Sequence, residues 1–120
     1  MINTFQKLKN MIKKSNVLNS EDIKYFTPNN ATNYAGYGNC YYYKIGSKVH
    51  LHIGIKIETT ETITIYSLPT THRPNSPISA GGIGSSITNY SSSSVNSSGS
   101  ISVHSDSGYA LIDVEYDTLN

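Results

Sequence analysis

The chain has no tryptophan, two phenylalanines and one cysteine, and only 14% of its 120 residues are Asp, Glu, Lys or Arg. Each shortage removes possibilities. The lone Cys40 excludes an internal disulfide and any metal cluster built from cysteines alone. Among tyrosines a single thiol reads as a small buried hydrophobe, not as a nucleophile. No apolar run is long enough to cross a bilayer as a helix, so membrane insertion is not expected. The N-terminus carries lysines without the apolar stretch and small-residue cleavage site of a secretory signal. The G-x-S-x-G elbow, the phosphate-binding glycine loop, H-E-x-x-H and the dinucleotide fingerprint are also missing. No catalytic residue, metal or cofactor is therefore assigned.

What is abundant is Tyr, Ser, Thr, Asn and Gly, so solubility rests on hydroxyls and amides as much as on charge. That composition suits extracellular β-structure or particle components. The length fits one domain with an adequate core. The net charge of +1 hides an asymmetry, because residues 1–24 hold five lysines against Glu21 and Asp22. These lysines read as the solvated face of a helix, and nucleic acid is not expected as a partner. Met1, Phe5, Leu8 and Ile12 follow a 4-3-4 spacing, which predicts a short amphipathic α-helix with one narrow apolar stripe. A helix this short must pack on its own domain or on equivalent helices of other subunits. Ser20, Glu21 and Asp22 suit the start of a further helical turn that Pro28 would end. The expected organisation is a helix or neck over 1–26, a linker or extended arm over 27–39, and a β domain over 40–120.

From Cys40 onward the period becomes two. Val49, Leu51, Ile53, Ile55 and Ile57 share one face of a strand, and His50, His52, Gly54 and Lys56 share the other. A turn at Glu58–Glu61 leads into Thr62–Ser67 and predicts an antiparallel hairpin. Further strands are expected over Ile83–Tyr90, Gly99–His104 and Tyr109–Tyr116, with a turn at Asn96–Gly99. Short strands between Gly, Ser and Asn turns predict an all-β, antiparallel β-sandwich or Greek-key (jelly-roll-like) domain. No charged residue lies between Arg73 and Asp106. This serine-rich stretch reads either as a disordered linker or as a surface suited to oligomer contact, where charge would be costly to desolvate.

Candidate sites are few. His50 and His52 project to one side and read as a polar strand face; a shared metal would need more ligands. His72, His104 and Asp106 could form a triad on paper, but eighteen serines make such a match almost inevitable by chance. Glu58 and Glu61 read as exposed turn residues, and Asp113, Glu115 and Asp117 as one solvated stripe. Ten tyrosines exceed the needs of one small core, and their flat faces and hydroxyls suit subunit packing or sugar stacking. Tyr41 and Tyr43 are nominated for an oligomer interface. Asn89, Tyr90, Asn96, His104 and Tyr109, near the uncharged turns, are nominated as ligand contacts.

Four landmarks occur in order: Lys44-Ile45-Gly46-Ser47-Lys48-Val49; Leu68-Pro69-Thr70-Thr71-His72-Arg73-Pro74; Gly99-Ser100-Ile101; and a closing alternating strand ending at Tyr116. This order resembles the C-terminal head domains of bacteriophage tail fibres and baseplate receptor-binding proteins, over roughly residues 41–117. Thr71-His72 departs from the glycine and aromatic residue usual at that corner. The resemblance implies that Leu68 plugs the core, that Pro69 and Pro74 end strand pairing, and that Arg73 holds the corner through hydrogen bonds. It also implies a homotrimer with Phe5, Leu8 and Ile12 on its axis, located at a tail-fibre tip or baseplate of the virion. Expected partners are a bacterial surface glycan and other tail or baseplate proteins. A purely structural trimerisation or cap module is the alternative, and a polysaccharide-degrading enzyme a more distant one.

Overall fold

The computed structural model describes residues 22–118. The amphipathic helix expected over 1–18, with Phe5, Leu8 and Ile12, lies outside the described residues. Nine strands are present among the described residues: β1 (Lys24–Tyr25), β2 (Thr32–Asn33), β3 (Tyr41–Ile45), β4 (Lys48–Lys56), β5 (Ile63–Ser67), β6 (Ile78–Ile83), β7 (Tyr90–Val95), β8 (Ser100–Ser105) and β9 (Tyr109–Asp117). Single 3-10 turns occupy Ala35–Tyr37 and Thr70–His72. The strands pair antiparallel in the order β1-β3-β4-β9-β6-β7-β8-β5, with β2 beside β4. The protein is all-β, with a curled antiparallel sheet. Curling brings the two ends of that order together: the Phe26 ring stacks on Tyr66 at 4.2 Å, and Asn29 N–H donates to Ile65 O at 2.7 Å.

The apolar alternation of β4 explains where the core lies. Val49, Leu51, Ile53 and Ile55 are fully buried, and they meet Ile112 and Val114 of β9, Val95 of β7, Ile101 and Val103 of β8, and Ile65 of β5. Each such side chain contributes about 1.5–3 kcal/mol through burial. Ser91, Ser93 and Ser105 also point inward. Their hydroxyls donate to Ile83 O (2.7 Å), Ala80 O (3.3 Å) and Tyr109 O (2.6 Å), so burial leaves none of them unsatisfied.

Several expectations are corrected. β4 and β5 do not form a hairpin. β4 pairs along its whole length with β9, from Lys48↔Asp117 to Lys56↔Tyr109, while β3 and β2 take its other edge; β5 pairs with β8. Alternation specifies which face a strand buries but not which strand lies beside it. Ile83–Tyr90 is not a strand. Only its two end residues belong to strands, and Gly84–Asn89 is a loop whose side chains bond to one another: Ser85 Oγ donates to Asn89 Oδ1 at 2.7 Å, and Ser86 Oγ meets Thr88 Oγ1 at 2.8 Å. The strand lies just before it, at Ile78–Ile83. Ser91–Ser94 is not a disordered linker but part of β7. Lys24–Tyr25 is extended rather than helical, because it pairs with Tyr42 and Tyr41 of β3.

The Leu68–Pro77 corner carries the chain from β5 to β6, across the end of the β7–β8 hairpin. Leu68 is buried; its N–H donates to Gly99 O at 2.9 Å, and its carbonyl accepts from Arg73 Nε at 3.0 Å. Pro69 precedes the Thr70–His72 turn, and Pro74 forms an isolated bridge with Thr118. His72 is buried, its ring edge-on to Tyr42, and its carbonyl accepts the Tyr116 hydroxyl.

Candidate functional site

The curled sheet presents two chemically different outer surfaces. The first is the outside of β3, β4 and β9. Registry places Tyr41, His52 and Asp113 in one row across the three strands, Tyr43, His50 and Glu115 in the next, and Ile45, Lys48 and Asp117 in the third. Because side chains alternate, all nine point to the same side. Tyr41 stacks on His52 (4.9 Å, 15°) and Tyr43 on His50 (5.1 Å, 8°). Tyr41 and Tyr43 are themselves nearly parallel at 6.3 Å. The rings therefore form a fixed plate, with carboxylates on its far side.

His52 joins three elements. Its Nδ1 lies 2.8 Å from Asp113 Oδ1, and its Nε2 lies 2.5 Å from the carbonyl of Tyr37 in the arm. The ring is thus held at both nitrogens, between β9 and the arm. Gly54 lets the arm lie this close, since a Cβ there would sit 2.6 Å from Tyr37 O. His50 faces Asp113 at 3.4 Å and Glu115 at 3.7 Å, and Lys48 faces Glu115 at 3.4 Å. Burial, then the charge of Asp113, raises the Tyr41 phenol above its ordinary value. At the β3–β4 end this face dips into a groove of about 440 Å³, walled by Tyr43, His50 and Ile45 and rimmed by Lys48, Glu115 and Asp117. Among the described residues no group of His, Cys, Asp and Glu is arranged to hold a metal ion.

The second surface is the outside of β6, β7 and β8. Ser79↔Ser94↔Ser102 form one cross-strand row, and Gly81↔Ser92↔His104 the next. The serines of these rows and His104 line a shallow groove of about 330 Å³ together with Tyr90, and no Asp, Glu, Lys or Arg contributes to it. Tyr90 is 66% exposed, so most of its ring is available to a ligand.

Of the five nominated contacts, Tyr90 and His104 share this groove. Asn89 precedes Tyr90, but its amide oxygen accepts from Ser85 and Ser86 hydroxyls and so holds the loop. Asn96 caps the β7–β8 turn, accepting from the amides of Ser98 and Ser100 at 3.1 and 3.0 Å. Tyr109 belongs to a third cluster, edge-on to Tyr34 at 5.2 Å with Lys56 over its ring. His72 lies in the corner and His104 on β8, the latter 3.0 Å from Asp106. Tyr41 and Tyr43 lie on the first surface, where Tyr41 also touches Tyr25 of β1. Sequence reasoning did not bring His50 and His52 together with Asp113 and Glu115. The available signal was that H-x-H on one strand and D-x-E on another share a polar phase.

Cys40 lies beneath the arm, its Sγ 3.9 Å from Gly54 O. Burial pushes the thiol up to about 11 from an ordinary 9.0, with a backbone hydrogen bond to Gly54 opposing it. A raised value in the folded state means that stability present below about pH 9 is lost as pH rises through about 11. The expected loss over that window is about 2–3 kcal/mol, reported by urea midpoints measured at stepped pH. Cys40→Ala should flatten that part of the slope; an unchanged slope would assign the alkaline loss to other groups.

Compared with protein-family models, curated proteins and solved structures, the chain matches none of them.

Proposed function

We propose that this chain is the receptor-binding head of a bacteriophage tail fibre or baseplate: a homotrimer that attaches the virion to saccharide on the bacterial envelope, without catalysis of its own. The observation that carries the reading is the uncharged groove on β6–β8. Hydroxyls of Ser79, Ser92, Ser94 and Ser102 line it, together with the exposed Tyr90 ring. A neutral polyol exchanges hydrogen bonds with such a surface without stripping water from a charge, and a pyranose C–H face packs on a phenol. The strand order β5-β8-β7-β6 supports a Greek-key head, since three hairpin-linked strands are joined by a fourth that lies beside the last of them. Ile23 and Tyr25, both half or more exposed, with Tyr25 against Tyr41, supply apolar surface for contact between subunits. Three equivalent weak sites would gain by simultaneous engagement.

The same exposed apolar residues also suit the second reading, a structural trimerisation or cap module that joins other tail proteins. Light scattering of the purified chain, followed by adhesion to whole bacteria and to their extracted surface polysaccharide, separates the two. The expected result is a trimer that adheres, with Tyr90→Ala weakening each site about tenfold while the trimer persists. A trimer without adhesion would favour the cap. A monomer would sink the threefold reading.

A further inference from the structure

The groove on the opposite face has different chemistry. Its wall is the Tyr43 ring, held flat by stacking on His50 at 5.1 Å and 8°, and Ile45 adds an apolar side chain that is half exposed. Two carboxylates, Glu115 and Asp117, stand on its rim against one ammonium, Lys48. Lys48 is drawn to Glu115 at 3.4 Å, although registry sets it opposite Asp117. Among the described residues Asp117 has no ion-pair partner, so one carboxylate of the rim is left for a ligand.

We infer that this groove is a second binding site, for a saccharide bearing a free amino group. The body of such a ligand packs on Tyr43 and Ile45, and its ammonium takes Asp117. The concavity and the fixed ring select a flat ligand; the unmatched carboxylate selects its charge. A neutral polyol can offer Asp117 hydroxyl donors but no opposite charge, whereas the β6–β8 groove offers an amine no carboxylate at all. The two grooves thus divide ligands by charge.

The test uses a β-1,4-linked glucosamine tetramer and its fully N-acetylated counterpart, titrated into the full chain and followed by NMR. The free amine should bind at least about fivefold more tightly than the acetylated form. Shifts should centre on Tyr43, Lys48 and Asp117. Asp117→Asn should weaken the amine sugar about fivefold, and Tyr43→Ala about tenfold, while Tyr90→Ala leaves it unchanged. Circular dichroism checks that each variant is folded; if Tyr43→Ala is not, Tyr43→Leu keeps the apolar bulk and still removes the ring. Equal affinity for the two tetramers would overturn the inference, as would amine binding indifferent to both Asp117→Asn and loss of the Tyr43 ring. Because Tyr90→Ala reports on the other groove, attachment through β6–β8 can hold when this site fails, and the reverse.

Discussion

Gly82→Ala is expected to lower stability by about 3 kcal/mol or more, a large fraction of the total in a domain of ordinary stability. β6 touches β9 through a single registered pair, Ile83↔Leu111, and this joint links the two halves of the strand order. A Cβ on Gly82 would stand 2.1 Å from the carbonyl oxygen of Leu111 and 2.5 Å from Ile112 Cγ1. The first of these is backbone and has no rotamer to escape into, so either β6 lifts from β9 or β9 shifts on β4. Both responses disturb the core around Ile112 and Val114. Urea unfolding followed by far-ultraviolet circular dichroism reads the effect without tryptophan, which the chain lacks. Gly81→Ala is the matched control: its nearest neighbour would be a Tyr90 ring carbon at 3.4 Å, an ordinary contact. Its expected loss is under about 1 kcal/mol. Equal losses at the two positions would show that glycine content, rather than the close crossing of β6 over β9, sets the cost.

Leu68→Ala is expected to cost about 2–5 kcal/mol, measured in the same way. The side chain is 1% exposed and lies where the chain leaves β5 for the corner. Two hydrogen bonds hold its backbone: its N–H to Gly99 O and its carbonyl to Arg73 Nε. The corner cannot collapse into the space left by truncation without stretching these bonds, so the cavity persists and the loss falls toward the upper part of the range. Gly99 shares the constraint, with φ +90° and only 2.7 Å from an added Cβ to Leu68 O. Arg73→Ala should cost less, about 1–2 kcal/mol, because Leu68 O then loses one partner without a cavity opening. If Arg73→Ala proved the more harmful, the corner would be held by its polar clamp and not by packing.

How much was readable beforehand differs from element to element. The inward set Val49, Leu51, Ile53, Ile55 and Ile57 was legible because a period of two over nine residues has one physical meaning, a strand with one wet face. The Asn96–Gly99 turn was legible because an Asn side chain can replace backbone partners and a glycine accepts a positive φ. β6 was not, because Gly81 and Gly82 have no side chains to carry an alternation; only the neighbouring β9 shows that the missing side chains are what lets two strands cross closely. The loop at Gly84–Asn89 was missed for the opposite reason. Ile83, Ile87 and Tyr90 carry a β-like composition, while Ser85, Ser86 and Thr88 spend their hydroxyls on the loop itself.

The candidate grooves show the same division. Tyr90 and His104 were nominated on composition, and their meeting in one groove depends on the β7–β8 register, which pairs Ser92 with His104. Tyr43, His50 and Glu115 occupy three strands, the last far along the chain from the first two, and no local pattern orders those strands.

What the sequence determined by itself is the all-β class, the faces of its longest strands, the turn at Asn96–Gly99 and the absence of an internal disulfide, because each follows from side-chain period, backbone freedom or residue count within a short span. Which strands are neighbours, where the sheet curls and which polar side chains face one another were decided only by the tertiary structure. Those outcomes depend on burying one shared core and matching strand lengths across the whole chain, a condition that no single segment carries.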